Sequence, residues 1–262
     1  MAFKLPDIDE SQAPLLDHLV ELRTRLLRCV YALLLAFAVS FYFADDIFGF
    51  LVRPLTAAFP AGEGKLIYTK LYEAFFVELK VALFAAFFLS FPILANQMWA
   101  FVAPGLYAKE KKAFLPFLLV TPLFFFSGAA LAYYVVMPTA FKFFLTFEGE
   151  KGGLQLEALP GTGDYLGLVM QFILAFGISF LLPVLLVLLN SAGIVTRAQL
   201  VAARRYVIVG MAIVAAIATP PDVVSQLLLL IPLMLLFEGA LVVMWFSERK
   251  KAKGGAEEQK QP

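Results

Sequence analysis

Six long apolar runs punctuate the chain, near Cys29–Ala44, Phe75–Ala95, Phe114–Val136, Leu166–Leu189, Tyr206–Ala218 and Leu227–Phe246. Several approach the ~20 residues that carry a helix across ~30 Å of hydrocarbon. With 61% hydrophobic residues and 28 Phe among 262, the chain holds far more apolar surface than a soluble core of this size can use. The runs lack the alternation of membrane-barrel strands. They predict an all-α integral membrane protein whose six transmembrane helices have lipid as their solvent.

Six crossings return both termini to one side. That side receives Lys4, Arg23, Arg25, Arg28, Lys109, Lys111, Lys112, Arg197, Arg204, Arg205 and the basic residues from Arg249 to Lys260, most of the 21 Lys and Arg. The opposite loops are richer in acid, with Asp45, Asp46, Glu63, Glu148, Glu150, Glu157 and Asp164. The bias of basic residues predicts cytoplasmic termini and a multi-pass protein of the cytoplasmic (inner) membrane. The first 20 residues carry four acids and lack the pattern of a cleavable signal peptide, so the first span is expected to direct its own insertion. A single cysteine, Cys29, excludes an internal disulfide. The loops are short, which predicts one transmembrane domain over 1–262. Its parts are an amphipathic tail at 1–28, a bundle at 29–246 and a basic, polar tail at 247–262.

The spans are unequal. The fifth run is 13 residues long before Thr219-Pro220-Pro221 ends it, roughly 20 Å of helix, short of a bilayer. The sixth starts after Asp222 and carries Pro232. Both are expected to fall short of the outer surface and to thin the lipid there. Pro92, Pro116, Pro122, Pro138, Pro183 and Pro232 lie within or at the ends of spans and predict bent helices in a cupped, kinked bundle. On the outer side, Asp45–Phe59 has helical spacing of apolar residues broken by Pro54 and reads as a short amphipathic segment. Lys151-Gly152-Gly153 and Pro160-Gly161-Thr162-Gly163 read as turns, and both outer loops are expected to cap the bundle.

Enzyme chemistry finds little to work with. The sequence holds no phosphate-binding glycine loop and no His-Glu-x-x-His, and its one histidine, His18, precedes the first apolar run. An aspartyl intramembrane protease needs two facing carboxylates, whereas Glu238 is the main acid well inside a run. No enzyme activity, metal or cofactor is expected.

Three polar stretches remain. His18-Leu-Val-Glu21-Leu-Arg23-Thr-Arg25-Leu26 reads as an amphipathic helix entering the first span, with Glu21 and Arg25 paired at i,i+4. Phe101-Val-Ala-Pro104-Gly-Leu106-Tyr107-Ala-Lys109-Glu110 ends in one acid among three lysines. Thr219-Pro-Pro-Asp222-Val-Val-Ser225-Gln226 places four hydrogen-bonding side chains at the start of a very apolar helix. As HLVELRTRL, FVAPGLYAKE and TPPDVVSQLLLLIPL, these stretches resemble the signature segments of the TatC family, the large membrane subunit of twin-arginine protein translocases. The resemblance spans essentially the whole chain.

That resemblance implies a role. Such a subunit binds, on the cytoplasmic side, signal peptides of folded proteins that bear two consecutive arginines. It joins TatA- and TatB-type single-span subunits, and other copies of itself, at a site of export driven by the proton-motive force. Its partners are then peptides, membrane proteins and lipid, with no nucleic acid. The residue chemistry fits: an Arg pair needs an acceptor, and Glu110 can take a guanidinium through two hydrogen bonds. Glu21 is placed to take the second arginine, and a lysine would lose the fork geometry. By resemblance Phe101, Pro104, Leu106, Tyr107 and Arg23 complete the peptide site. The bland alternatives are a solvated Glu110 beside Lys111 or Lys112 and a Glu21 held by Arg25. Thr219, Asp222, Ser225 and Gln226 would mark a groove on the fifth and sixth spans for the TatB-type partner, or Asp222 would cap the sixth helix. Many family members carry Glu or Gln where this chain has Leu181, which puts any function of that position in doubt. Gln171 is the polar candidate on that span, about three helical turns earlier, Lys80 and Glu78 lie early in the second, and Glu238 is either near the interface or interhelical. The main alternative is a proton-coupled secondary transporter of a small solute. It would show internal repeats and paired broken helices at the bilayer midplane, and no convincing repeat is visible.

Overall fold

The computed structural model describes residues 8–59, 64–106, 111–220 and 222–258, with side chains described over 18–59, 64–101, 117–150, 152–220 and 222–249. The expected six-helix bundle is present. Among the described residues, five helical stretches are long and apolar enough to cross a membrane: His18–Tyr42, Glu73–Phe101, Phe117–Leu145, Thr162–Ser191 and Val223–Arg249. The sixth crossing is the short helix α9, Arg204–Ala218, whose 15 residues rise roughly 22 Å.

Helix α1, Ile8–Tyr42, joins the tail and the first span without a break. It packs along α3, Glu73–Leu106. Its other faces expose Leu26, Leu34, Leu35 and Val39, as expected of a helix with lipid around it. Lipid tails are as apolar as leucine, so close packing and hydrogen bonds, rather than burial from water, hold such helices together. The centre of the bundle shows this. Phe172 and Phe176 are fully buried on α6, Thr162–Ser179, beside Ala132, Met137, Leu233 and Phe237. A Cβ on Gly128 of α4, Lys111–Leu131, would come within 2.5 Å of the Phe176 carbonyl. A Cβ on Gly177 would meet the Phe125 ring at 2.8 Å. Two glycines thus set how closely α4 and α6 approach.

The prolines act through the backbone donor they lack. Upstream of Pro138, the third span makes a π-turn over Ala132–Val136, with the Met137 N–H bonding back to Ala132, before α5, Met137–Leu145, resumes. In the fourth span the helix breaks between α6 and α7, Leu182–Ser191. There the Leu181 N–H turns to the Ile178 carbonyl, just ahead of Pro183. Pro54 sits inside α2, Ala44–Thr56, so the expected break there is instead a continuous helix that ends two residues later. The Phe50 carbonyl, four residues before Pro54, accepts the Tyr133 hydroxyl at 2.6 Å, and the Leu51 carbonyl accepts that of Tyr165 at 2.9 Å. Two tyrosines therefore fasten the outer helix to the bundle.

The loops opposite the termini hold short extended pairings among the described residues. Strands β1, Gly149–Lys151, and β2, Leu154–Leu156, form an antiparallel hairpin. Gly152 (φ +63°) and Gly153 (φ +81°) supply the two left-handed residues of its turn. Ile67 bonds through its N–H to Pro160 and through its carbonyl to Thr162. The Glu73 carboxylate takes N–H groups of Thr69, Lys70 and Gly163, and the Thr69 hydroxyl. One acid thereby ties the start of α3 to the first turn of α6.

Helix α10, Val223–Glu258, is longer than the sixth apolar run, because the helix continues through the basic residues after Phe246. It packs against α7, α9 and α8, Arg197–Ala202.

Candidate functional site

The inner turns of α1 lie against the last described turns of α3. His18 stacks on Phe101 with ring centroids 4.3 Å apart and planes 13° from parallel. One turn further along α1, the Arg25 Nε donates to Glu21 Oε1 at 2.9 Å, the i,i+4 pair expected from the spacing. Arg25 also reaches Gln97 of α3 at 3.5 Å, so the ion pair is stitched to the neighbouring helix. The second oxygen, Glu21 Oε2, has His18 Nδ1 at 3.8 Å and stays partly accessible, the side chain being 35% exposed. A carboxylate offers about four lone-pair directions, so one arginine on one oxygen does not saturate Glu21. Arg23 is exposed and belongs to none of the ion pairs among the described residues.

Of the other expected peptide-site residues, Pro104 and Leu106 lie on α3, with side chains outside those described. Tyr107 and Glu110 lie outside the described residues, in the segment between Leu106 and Lys111. Gln97 and His18 were not assigned to this site on sequence grounds. Asn96-Gln97, directly after the second apolar run, is the signal that could have found the first. The stacking of His18 needs the fold to see it.

The second polar group bonds mainly to backbone. Asp222 Oδ1 accepts the Ser225 N–H at 2.7 Å, capping α10. Thr219 and Ser225 are buried, and the Thr219 hydroxyl donates to the Ala215 carbonyl at 2.9 Å. Gln226 Nε2 donates to the Ala212 carbonyl of α9 at 3.4 Å, and Gln171 reaches the Ala218 carbonyl at 3.3 Å. These side chains gather at the turn between α9 and α10. Glu238 pairs across helices with Arg204 at the start of α9, at 3.0 Å. Lys80 and Glu78 take part in no ion pair among the described residues.

Residues 17–232 match the family model described as Sec-independent protein translocase protein (TatC). The chain belongs to the TatC family. It is 50% identical over 200 residues to the Sec-independent protein translocase protein TatC of Magnetococcus marinus, covering 76% of this chain and 72% of that one. The TatC proteins of Haemophilus influenzae and Escherichia coli are 42% and 39% identical over 205 residues each, covering 78% of both chains in either case. A crystal structure of the twin-arginine translocase receptor TatC in the detergent DDM superposes with a TM-score of 0.76 at 38% identity, over 87% of this chain and 99% of that one. In this member of the TatC family, Leu181 lines an apolar cavity of about 670 Å³ with Trp99, Ile178, Met211, Val214 and Leu233.

Proposed function

We propose that this chain is the signal-peptide-receiving subunit of a twin-arginine protein translocase, a transport component and not an enzyme. Its termini lie in the cytoplasm, as the distribution of Lys and Arg favours. A signal peptide with two consecutive arginines arrives at the junction of α1 and α3. One guanidinium engages Glu110, and the other takes the free oxygen of Glu21. The observation that carries this reading is the joining of two distant signature segments: His18 of one stacks on Phe101 of the other, and Arg25, which holds Glu21, reaches Gln97 one turn before it. Arg25 on Glu21 Oε1 orients the carboxylate, and a planar ligand group fits the remaining oxygen better than an ammonium does. Phe101 offers apolar contact beside the charged pair, while Pro104, Leu106 and Tyr107 shape the loop that follows.

Small single-span partners of the TatA and TatB types, and further copies of the chain, complete the export site, which the proton-motive force drives. A TatB-type span seats along α9 and α10. Because the Thr219 and Ser225 side chains are buried, Gln226 and the short reach of α9 are the features left to guide it.

Site-specific photocrosslinking from position 101 to a twin-arginine peptide in native membranes tests the reading. Crosslinks should form with the Arg-Arg peptide, weaken with a Lys-Lys version and fall in Glu110→Ala and Glu110→Lys. Unchanged yields across the peptides and variants would remove the proposed site.

A further inference from the structure

An apolar slot of about 380 Å³ opens between α2, α3, α4 and the π-turn, on the side of the membrane opposite the termini. Phe50 and Tyr134 stand at its outer end, Phe84 and Phe88 form one wall, and Phe126 and Ala130 form the other. Its one buried hydroxyl, that of Tyr133, is already bonded to the Phe50 carbonyl. The rest of the lining is almost wholly apolar. Yet a cation lies near one of its lining rings: the Arg53 guanidinium is 6.0 Å from the Phe50 ring, which itself stacks on Tyr133 at 4.3 Å. Arg53 is exposed, and no carboxylate among the described residues pairs with it.

We infer that the slot is a binding site for one glycerophospholipid of the leaflet opposite the termini. An acyl chain lies between the Phe84–Phe88 and Phe126–Ala130 walls, and the phosphate is held by Arg53. Two observations select this occupant. The first is charge: a cation near a lining ring of an almost wholly apolar slot matches a molecule with an anionic head and an apolar tail. The second is size. The slot measures about 380 Å³. Its volume suits a slender ligand, near the lower end of ~300–1,000 Å³ for small-molecule sites. Lipid chains are the slender apolar molecules that surround this opening.

The test uses the full chain in vesicles of phosphatidylethanolamine and phosphatidylglycerol doped with phosphatidylethanolamine bearing a diazirine near the middle of one acyl chain. After illumination, labelled peptides are mapped by mass spectrometry. Labelling of segments 84–89 and 126–134 is compared with labelling at Leu235, which is exposed on α10. The slot segments should exceed Leu235 several-fold. Ala130→Phe and, from the facing wall, Ala85→Phe should each remove that excess, with gel filtration confirming folded protein. Arg53→Gln should reduce the excess while Arg53→Lys retains it. Equal labelling of slot and Leu235, or an excess that survives both filled-slot variants, would overturn the inference. So would loss of the excess when a twin-arginine peptide is added, which would assign the slot to the peptide.

Discussion

The Tyr133 hydroxyl bonds to the Phe50 carbonyl, the acceptor whose helical donor Pro54 lacks. Residues 83 apart in sequence thus repair a backbone defect inside α2. The proline takes one N–H out of the α2 ladder, and the tyrosine keeps the freed carbonyl from facing lipid unpaired.

Tyr133→Phe should leave that carbonyl without a donor and destabilise the fold by about 1–3 kcal/mol. Unfolding in detergent would measure this. Pro54→Ala in the same background should recover part of the loss, because it returns an N–H to the α2 ladder. No recovery would mean that the hydroxyl serves another purpose.

Gly128→Ala should destabilise the contact of α4 with α6 by about 1–3 kcal/mol, since the Cβ collides with backbone and not with a flexible side chain. Gly167→Ala, on α6 with open space around its Cβ position, is the matched control and should be near neutral.

Glu73→Ala should loosen the outer surface, because four donors lose their common acceptor. Hydrogen exchange at Thr69, Lys70 and Gly163 should rise together, and the midpoint of thermal unfolding should fall by a few degrees. Gly163→Ala should have a smaller effect, because its Cβ would lie 2.9 Å from Glu73 Oε1, the far end of a side chain that can shift. Independent exchange at the three amides would argue against a single knot.

Phe101→Ala removes the stacking partner of His18, an aromatic contact worth about 0.5–1.5 kcal/mol. Capture of a twin-arginine peptide should weaken several-fold, whereas Phe101→Tyr should retain it. Titration of labelled peptide into the protein in nanodiscs reads the difference.

Much of this was legible in the residues. Hydrophobic length marks spans well, because the cost of exposing backbone to lipid leaves helices as almost the only solution for such runs. The i,i+4 spacing of Glu21 and Arg25, and the capping position of Asp222, are local properties that a sequence displays directly. Other features depend on which helices become neighbours. Tyr133 looks like any aromatic until Pro54 is beside it, and Gly128 like any small residue until Phe176 approaches. Glu73 stands at the edge of an apolar run with nothing to announce Gly163, 90 residues away. Thr219 and Ser225 illustrate the converse: polar residues that suggest an outward mark are buried, because their helix ends meet.

Helix α1 has a mechanical meaning. A rod of 35 residues with no proline, glycine or π-turn along its spanning part has no internal joint, and it rests mainly on one neighbour, α3. A push on either end of such a rod is passed along its axis and is not absorbed at a bend.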